Sequence, residues 1–312
     1  MAFAHTSVLL QETIRALQPQ AGKTYVDATL GGGGHTAGIL ERADCRVVGI
    51  DRDPHALEAA AERLQRFGDR FTPARGRFSD IRQLLAQHGI HEVDGIIADL
   101  GVSSPQLDHA ERGFSFRASG PVDMRMDPDA PLSAHDIVHD WSEEALTRIL
   151  KDYGEERRAR SVARAIVANR PYTDTLQLAR VIGKATGPQR GRINPATRSF
   201  QAIRIAVNDE LGEIERFLPE AVDLLAPGGR LCVISFHSLE DRLVKQFFAR
   251  ESGRDAPRDA YGNRLGEWCL ERPAKSVTAG SDDPNPRSRS ARLRTAVRKA
   301  CCLLYTSDAA DE

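Results

Sequence analysis

The sequence predicts an α/β protein with a doubly wound, mostly parallel sheet and a helical segment inserted between two of its strands. Three observations support this fold class. Short apolar runs alternate with helix-like segments through the first third of the chain, the pattern typical of a parallel sheet. The alternation then stops for a long, mainly helical stretch, roughly from Ser103 to Asn208. Another apolar run, Arg230 to Ser235, resumes it afterwards.

The first strand, loop and helix surround the segment DATLGGGGHT, from Asp27 to Thr36. The apolar run Thr24 to Val26 precedes it, and a helix-compatible segment, Ala37 to Arg42, follows it. Four consecutive glycines allow a ligand to approach the backbone N–H groups closely. A flexible turn is the alternative, because a glycine-rich loop alone is weak evidence.

A second strand, Arg46 to Asp51, ends in a carboxylate about 20 residues past the first glycine, where an acid accepts hydrogen bonds from ribose hydroxyls. The dinucleotide fingerprint G-x-G-x-x-G is absent, because Thr36 or Ala37 occupies its last position. An adenosine ligand without a pyrophosphate therefore fits better than NAD. S-adenosylmethionine is the candidate cofactor.

The other elements of this part follow from periodicity, Pro54 at a helix start, and turn residues. They are a helix Val8 to Leu17, a helix from Pro54 to about Phe67, a strand Arg70 to Ala74, a helix Asp80 to Gln87 and a strand Val93 to Leu100. Ligands of such sheets bind beyond the carboxyl ends of the strands. We therefore expect Asp27, Asp51 and Asp99 to converge there.

The inserted stretch is predicted to contain helices Glu143 to Asp152, Glu155 to Asn169, Thr175 to Lys184 and one long helix from about Ala196 to Leu218. Apolar residues recur along the long helix at spacings of three and four, which indicates one buried stripe. The turn Pro227 to Gly229 leads into the fifth strand, and Leu293 to Val297 supplies a last strand. Residues 250–290 are polar and predicted to be loop-like.

These elements divide the chain into a first sheet part (1–105), a helical substrate-recognition insert (106–214) and a second sheet part (215–300). The final residues, 301–312, break abruptly with the preceding composition. They are interpreted as a cloning or assembly remnant and excluded from fold reasoning.

Composition narrows the class of protein. Hydrophobic residues make up 41% and charged residues 28% of the 312 residues, the net charge is −1, and the five cysteines lack C-x-x-C spacing. The sequence therefore predicts no metal site, no disulfide framework and no membrane span, with the cytoplasm as location. Arginines cluster in three groups: Arg157, Arg158, Arg160 and Arg164; Arg190, Arg192, Arg198 and Arg204; Arg287, Arg289, Arg292, Arg294 and Arg298. Either a solvated face or an RNA path explains each group.

Nine motifs together resemble one family. They are HTSVLL from His5, DATLGGGGHT from Asp27, DRDP from Asp51, DLGVSSPQLD from Asp99, ERGFSF from Glu111, DMRMD from Asp123, YGEE from Tyr153, ATRSFQAIRIAVNDEL from Ala196 and ISFHSLEDR from Ile234. From His5 to about Arg298 the chain is similar to the RsmH (MraW) family. These bacterial enzymes use S-adenosylmethionine to methylate N4 of a cytidine in the decoding region, at the P site, of 16S rRNA in the small ribosomal subunit. The resemblance implies a Rossmann-like class I methyltransferase fold.

The resemblance also implies a set of cofactor-binding residues. They are Gly33, Gly34, His35, Asp51, Phe78, Asp99 and Gln106. Phe78 is expected to pack on adenine, with a core aromatic as the alternative. Valine at Gly33 is expected to block the cofactor pocket while leaving the fold intact.

The predicted catalytic residues are Asp99, at the end of the fourth strand, and His237, which follows the fifth strand and should reach the same cleft. A cytosine amine is a poor nucleophile, and an acceptor that holds its N–H would turn its lone pair toward the methyl group. Asp99 could be that acceptor or could only position the cofactor. His237 could instead be structural, with Ser238 capping the following helix. The expected substrate contacts are Phe114, Phe116, Arg198, Arg204, Ser235 and Phe236.

The predicted partner is 16S rRNA within the small ribosomal subunit, and a homodimer is left open. Two rival functions remain at this point. One is a methyltransferase of the same fold that acts on DNA or on a small molecule. The other is an RNA-binding assembly factor that binds the cofactor without turnover. The intact glycine loop and the acids at the strand ends favour an enzyme.

Overall fold

The computed structural model describes residues 7–187, 194–257, 259, 261, 266–279 and 286–300. Within these residues one sheet has the strand order β3-β2-β1-β4-β5-β7-β6. Its strands are β1 Thr24–Asp27, β2 Arg46–Asp51, β3 Phe71–Arg75, β4 Val93–Asp99, β5 Leu225–Ser235, β6 Val277–Thr278 and β7 Arg292–Val297. Strands β1 to β5 are parallel, and β7 runs antiparallel between β5 and β6.

Helices of the described chain cover both faces of the sheet and form the insertion. They are α1 Leu10–Leu17, α2 Gly34–Arg42, α3 Pro54–Leu64, α4 Ile81–Ala86, α5 Ser104–Asp108, α6 Ala134–Asp140, α7 Glu143–Asp152, α8 Ala159–Ala168, α9 Thr175–Thr186, α10 Thr197–Asn208, α11 Glu210–Leu224 and α12 Ser238–Glu251. No described helix has both the length and the apolar composition needed to cross a bilayer.

Alternation along the strands assigns side chains to the two faces of the sheet. Tyr25 and Ile97 pack with α1, α2 and α3 on one face. Val26 and Ile96 pack with α4, α11 and α12 on the other face. Both faces are therefore buried, as expected for a mostly parallel sheet.

Helices α6 to α10 lie between β4 and β5 in the chain and have a core of their own. Leu146, Ile166, Leu178 and Ile203 are fully buried in this insertion core. The helical insertion between the fourth and fifth strands is thus present. Its proposed bounds, 106–214, stay a prediction, and the tail 301–312 lies outside the described residues.

The predicted long helix from Ala196 to Leu218 is wrong as a single element. Its chain breaks at Asp209, which adopts the left-handed conformation with φ 49° and ψ 39°. Aspartate is among the few residues that tolerate this conformation. The break redirects the apolar stripe, because Phe200 packs in the insertion core whereas Ile214 packs against the sheet.

Asn208, next to the break, ties the insertion to the helix junction. Its Nδ2 donates to the carbonyl oxygens of Met124 and Arg204 at 2.8 and 2.9 Å. Its Oδ1 accepts from the Met126 N–H at 2.8 Å. Arg52, after β2, donates to the Asn208 carbonyl at 3.2 Å. The junction is therefore held by hydrogen bonds from both parts of the molecule.

Smaller differences from the predictions also have local causes. Helix α2 begins at Gly34, inside the glycine run, rather than at Ala37. Helix α8 begins only at Ala159, and Glu155, the predicted first residue, has φ 47° and so lies outside the helix. The predicted turn Pro227 to Gly229 lies within β5, beside an irregularity in its pairing with β4. Strand β6 was not predicted, and helix α12 was expected only as the helix that follows the proposed cap at Ser238.

Candidate cofactor and methyl-transfer site

A cleft of about 230 Å³ opens at the carboxyl ends of β1, β2, β4 and β5. Gly31, Gly32 and Gly34 contribute backbone to one wall. Asp51 and Asp99 line it from the strand ends. The sheet topology thus brings together the glycine loop and two of the three acids, as expected for ligand sites in open α/β sheets.

Asp27, the third acid, does not reach the cleft and is fully buried beneath the loop. Its carboxylate accepts hydrogen bonds from the Thr36 hydroxyl at 2.8 Å and the Thr29 N–H at 3.3 Å. The expected convergence of three carboxylates on the ligand is therefore wrong for Asp27. Burial raises its pKa to about 6. Asp27 holds the shape of the loop.

Replacing Asp27 by asparagine should flatten the pH dependence of stability. Because the folded protein raises the pKa of Asp27 from 3.8 to about 6, the stability it contributes is fully present below pH 3.8 and is lost as the pH rises through about 6. The loss amounts to about 3 kcal/mol at about 1.4 kcal/mol per pKa unit. Urea unfolding at pH 4 and at pH 8 gives the change in the free energy of unfolding of each protein. The change in wild type minus the change in Asp27→Asn measures this loss. Parallel pH profiles for the two proteins would contradict this expectation.

Asp51 joins the glycine loop to the start of α3. Its Oδ2 accepts from the Gly31 N–H at 2.8 Å, and its Oδ1 accepts from the Asp53 N–H at 2.9 Å. Each carboxylate oxygen retains a second lone pair. Burial raises the pKa of Asp51, and these two N–H groups oppose the rise. The geometry suits a carboxylate that accepts hydrogen bonds from ribose hydroxyls.

Asp99 ends β4 at the floor of the cleft. Its backbone N–H donates to the Thr29 hydroxyl at 2.6 Å, which ties β4 to the loop after β1. Its Oδ2 lies 3.8 Å from Nδ1 of His35, and its Oδ1 is buried without a hydrogen-bond partner among the described residues. Burial, followed by the negative charges of Asp27 and Glu240, raises the pKa of Asp99 well above its usual value. The side chain is nevertheless 24% exposed and so accessible from the cleft.

Phe78 and Gln106 both line the cleft. The Phe78 ring also packs edge-on against Phe217, with centroids 5.2 Å apart, so it is both a wall of the cleft and part of the core. The Gln106 amide is engaged at both ends, because Nε2 donates to Asp53 at 3.1 Å and Oε1 accepts from the Ser103 N–H at 3.0 Å. Gln106 therefore fixes the loop that carries Ser103.

Gly33 faces away from the cleft, which corrects the expectation for valine at this position. A Cβ there would lie 3.0 Å from Leu64 Cδ1 and 3.3 Å from Ala60 Cβ, both on α3. Gly33 also has φ 70°, a conformation that valine disfavours strongly. A valine would therefore strain the fold before it obstructed the cofactor. His35 is buried, and its Nε2 lies 3.1 Å from the Val8 carbonyl.

The corner between β5 and α12 forms the other side of the cleft. Phe236 and Glu240 line it. His237, rather than Ser238, is the N-cap of α12, with its Nδ1 accepting from the Glu240 N–H at 3.4 Å. Ser238 instead donates to Glu155 Oε2 at 3.3 Å. The predicted structural role of a cap is thus present, but at His237.

Sequence reasoning missed Glu240, which is fully buried on α12. Its Oε2 accepts from the N–H groups of Phe236 and His237 at 2.8 and 3.3 Å. Burial would raise the pKa of Glu240, but His237, the Phe236 N–H and the charge of Arg204 together hold it below its usual value. The signal available in the sequence was the capping-box spacing of an acid three residues after the cap.

Glu210, His237 and Glu240 also bring possible metal-ligand atoms within 4.8 Å of one another, the one such group among the described residues. Both oxygens of Glu210 accept from Arg204 at 2.8 Å. A cation would have to displace this buried ion pair. The cluster is therefore an ion-pair network.

Several predicted substrate contacts lie elsewhere. Phe114 is buried in the insertion core, and Phe116 packs against Phe200 with ring centroids 4.7 Å apart. Ser235 is 2% exposed and donates to the Arg292 carbonyl at 3.4 Å. None of these three residues lines the cleft. The burial of Phe114 and Ser235 contradicts those two predictions, whereas Phe116 is half-buried and its substrate contact stays a prediction.

Two predicted contacts keep accessible positions, and one does not. Phe236 lines the cleft, and Arg198 is exposed on α10. The Arg204 side chain is only 16% exposed and forms the bidentate ion pair with Glu210. The prediction that Arg204 contacts RNA is therefore replaced by a structural role.

Comparisons with known proteins agree with this architecture. Residues 2–299 match the family model described as the MraW methylase family. The ribosomal RNA small subunit methyltransferase H of Carboxydothermus hydrogenoformans is 50% identical over 96% of this chain and 99% of its own length. The protein of the same name from Geobacter sulfurreducens is 50% identical over 96% of this chain and all of its own length.

Among solved structures, a putative rRNA-methylase from Clostridium thermocellum covers 96% of this chain and 99% of its own, with 13% identity and a TM-score of 0.44. The predicted fold class, a Rossmann-like class I methyltransferase with a helical insertion, is confirmed by the sheet, its glycine-loop cleft and the family match. The chain belongs to the MraW methylase family.

Proposed function

We propose that this protein transfers a methyl group from S-adenosylmethionine to N4 of a cytidine in the decoding region, at the P site, of 16S rRNA in the small ribosomal subunit. The observation that carries the proposal is the cleft that joins the glycine loop and Asp51 to the aromatic and acidic corner at Phe236 and Glu240. Relatives at about 50% identity are named ribosomal RNA small subunit methyltransferase H. Methylation of rRNA is consistent with the cytoplasmic location that we propose.

The residues of the cleft fit the cofactor. The backbone at Gly31, Gly32 and Gly34 would bind its amino-acid end, and Asp51 would accept hydrogen bonds from its ribose. Phe78 would contact its adenine. S-adenosylmethionine, when bound, supplies a methyl group on a positively charged sulfur, which Asp99 at the cleft floor would face. The absence of the dinucleotide fingerprint supports selection against NAD.

The insertion supplies a basic surface for RNA. Arg157, Arg158 and Arg160 are exposed at the start of α8, and Arg198 is exposed on α10. Arg198 donates to the Glu155 carbonyl at 3.3 Å, and Glu155 lies 3.7 Å from Arg242 on α12. The insertion therefore meets the corner of the cleft through these residues. We propose this surface as the rRNA path, with the decoding-region base entering at Phe236.

The test uses labelled cofactor and three substrates: small subunits that lack the modification, mature small subunits, and free 16S rRNA. Nucleoside mass spectrometry of the product identifies the methylated base. N4-methylcytidine formed on unmodified subunits supports the proposal. No label in any of the three substrates would favour the rival enzyme, and stoichiometric RNA binding without methyl transfer would favour an assembly factor. The elution volume of the protein would decide whether it is a homodimer.

Replacing Arg157 and Arg160 by alanine should weaken binding to the small subunit in a salt-dependent manner. Each phosphate contact to a single strand contributes roughly 0.7 to the slope of log affinity against log salt, so two lost contacts should lower it by about 1.4. Arg42 and Arg46, exposed where β2 begins at the opposite end of the sheet, provide the matched control pair. Equal effects of the two double variants would place the RNA path elsewhere.

A further inference from the structure

Three buried polar atoms without a hydrogen-bond partner among the described residues belong to Asp99 and Glu240, which line the cleft, and to His237 beside Glu240. They are Oδ1 of Asp99, Nε2 of His237 and Oε1 of Glu240. Nε2 of His237 lies 3.1 Å from Oε1 of Glu240, which is ion-pair distance, although neither atom has a hydrogen-bond partner among the described residues. Unsatisfied buried polar atoms are rare and costly, and they call for an explanation such as a catalytic role.

The structure leaves space beside these atoms. Gly101, just after β4, has φ 91°, and a Cβ there would lie 3.5 Å from Cδ2 of Phe236 and 3.9 Å from Oε1 of Glu240. The absent Cβ therefore leaves a methyl-sized gap in the wall of the cleft, flanked by the Phe236 ring and Oε1 of Glu240. A flat base that enters beside Phe236 would present its edge to Glu240.

The pKa values of the two carboxyl groups that line this part of the cleft, Asp99 and Glu240, are shifted in opposite directions. The pKa of Asp99 is raised, mainly by burial, whereas that of Glu240 is lowered by His237, the Phe236 N–H and Arg204 against the effect of burial. Where the surroundings push the pKa values of two carboxyl groups apart, the two groups serve different roles as acid and base. Of the two groups, Glu240 is therefore the one whose surroundings favour the ionised form, as a proton acceptor requires.

The charged groups on the helices packed around Glu240 favour its ionised form. Arg204 from α10 and His237 from its own helix favour the charge, and Glu210 from α11 is neutralised by Arg204. Oε2 of Glu240 is committed to two backbone N–H groups. Only Oε1 remains to accept a further hydrogen bond.

We propose that Glu240 is a catalytic residue whose Oε1 accepts a hydrogen bond from the exocyclic amine of the target cytosine and takes a proton from it. This inference rests on the proposed cytidine N4 methylation. A hydrogen bond to Oε1 holds one N–H, which turns the lone pair of the amine toward the methyl group.

The reaction balances with S-adenosylmethionine as the methyl donor and Glu240 as the proton acceptor. The N4 lone pair forms a bond to the methyl carbon as the carbon–sulfur bond breaks, and the electron pair of that bond stays on sulfur. N4 then carries a positive charge and two protons. One proton passes to Oε1 of Glu240, which becomes a carboxylic acid and returns the proton to solvent after the product leaves. The product amine and the sulfur are both neutral.

The same contact selects the base. Uracil has a carbonyl oxygen where cytosine has the amine, so an ionised carboxylate attracts one base and repels the other. Glutamine at position 240 would keep an oxygen for the N–H groups of Phe236 and His237 but would turn an NH₂ group toward the gap. That group would repel the cytosine amine and donate to uracil.

The experiment compares wild type, Glu240→Gln and Glu213→Gln. Glu213 is also fully buried, lies on α11 and does not line the cleft, so it controls for neutralising a buried carboxylate. Three quantities are measured: the affinity for S-adenosylhomocysteine, the single-turnover rate of methyl transfer, and the relative affinity for small subunits with cytidine or uridine at the target position.

Glu240→Gln should bind S-adenosylhomocysteine like wild type, lose roughly a hundred- to ten-thousand-fold in single-turnover rate, and lose or reverse the preference for cytidine over uridine. Glu213→Gln should keep the rate and the preference. A Glu240→Gln variant with the wild-type rate and preference would overturn the inference while N4-methylcytidine formation by wild type still upheld the proposed function. Equal affinity of the wild type for the two bases would overturn it as well, without relying on any variant. Failure of wild type to form N4-methylcytidine would instead overturn the proposed function.

Discussion

The affinity of the wild-type protein for S-adenosylmethionine is expected to rise with pH, and Asp99→Asn is expected to remove most of that rise. In the free protein the pKa of Asp99 is raised well above its usual value. A cationic cofactor favours the carboxylate, so binding below that pKa must release a proton. The affinity should therefore gain up to about tenfold per pH unit below the pKa and level off above it.

Calorimetry in buffers of different ionisation enthalpy measures both the affinity and the released proton. S-adenosylhomocysteine, which lacks the charge on sulfur, is the matched ligand and should show a shallower dependence. The pKa of Asp51 is also raised, and a small residual slope in Asp99→Asn is assigned to it. A wild-type affinity that does not change with pH would contradict the placement of Asp99 against the cofactor.

The variants Asp99→Asn and Asp99→Ala together decide between the two roles that the sequence left open for Asp99. If Asp99 accepts the amine proton, Asp99→Ala should lower the single-turnover rate by roughly a hundred- to ten-thousand-fold at saturating cofactor. Asp99→Asn should then retain more activity than the alanine variant. If both variants lose activity only in proportion to cofactor affinity, Asp99 positions the cofactor alone.

The second large effect is expected from Arg112→Ala, which should destabilise the protein by about 3–5 kcal/mol. Arg112 Nη1 donates to Asp53 Oδ2 at 2.7 Å, and its Nη2 donates to the carbonyls of Arg125 and Met126 at 3.0 Å. Asp53 is 2% exposed and caps α3. Removing the guanidinium leaves a buried carboxylate whose strongest partner is gone.

Urea unfolding measures this loss, and two further variants sharpen the result. Arg75, which is 48% exposed and 3.3 Å from Asp127, is the control for a surface ion pair and should cost at most about 1 kcal/mol on removal. Adding Asp53→Asn to Arg112→Ala should recover part of the stability, because asparagine still caps α3 without a charge. If Arg112→Ala and Arg75→Ala proved equally stable, the buried pair would not hold the insertion to α3.

The sequence predicted the parts of the fold that are encoded locally. The glycine loop, the acid at Asp51 and the alternation of strands and helices all depend on neighbouring residues. The break at Asp209 was missed, because the apolar spacing continues through it and neither Asp209 nor its immediate neighbours are glycine or proline. Residues six apart do not face each other on one helix, so the Arg204–Glu210 ion pair depends on that break.

Other misses concern the direction in which a residue points. Gly33 belongs to the correct loop, but its open side meets Leu64 of α3, which only the packing of α3 decides. Phe114 has the right chemistry for a base contact and yet fills the insertion core. Glu240 has a familiar spacing from its cap, but its proximity to Asp99 depends on the pairing of β4 with β5.

The pairing of β4 with β5 also has a consequence for the expected order of folding. Strands β1 to β4 and their helices are consecutive in the chain, so they can associate by closing short loops. Strand β5 lies beside β4 in the sheet, although the whole insertion separates them in sequence. The entropy of closing a loop grows with its length, and a folded insertion with its own core shortens the effective loop. We therefore expect the insertion and the first four strands to form before β5 and β7 complete the sheet, so that the Glu240 side of the cleft is assembled last.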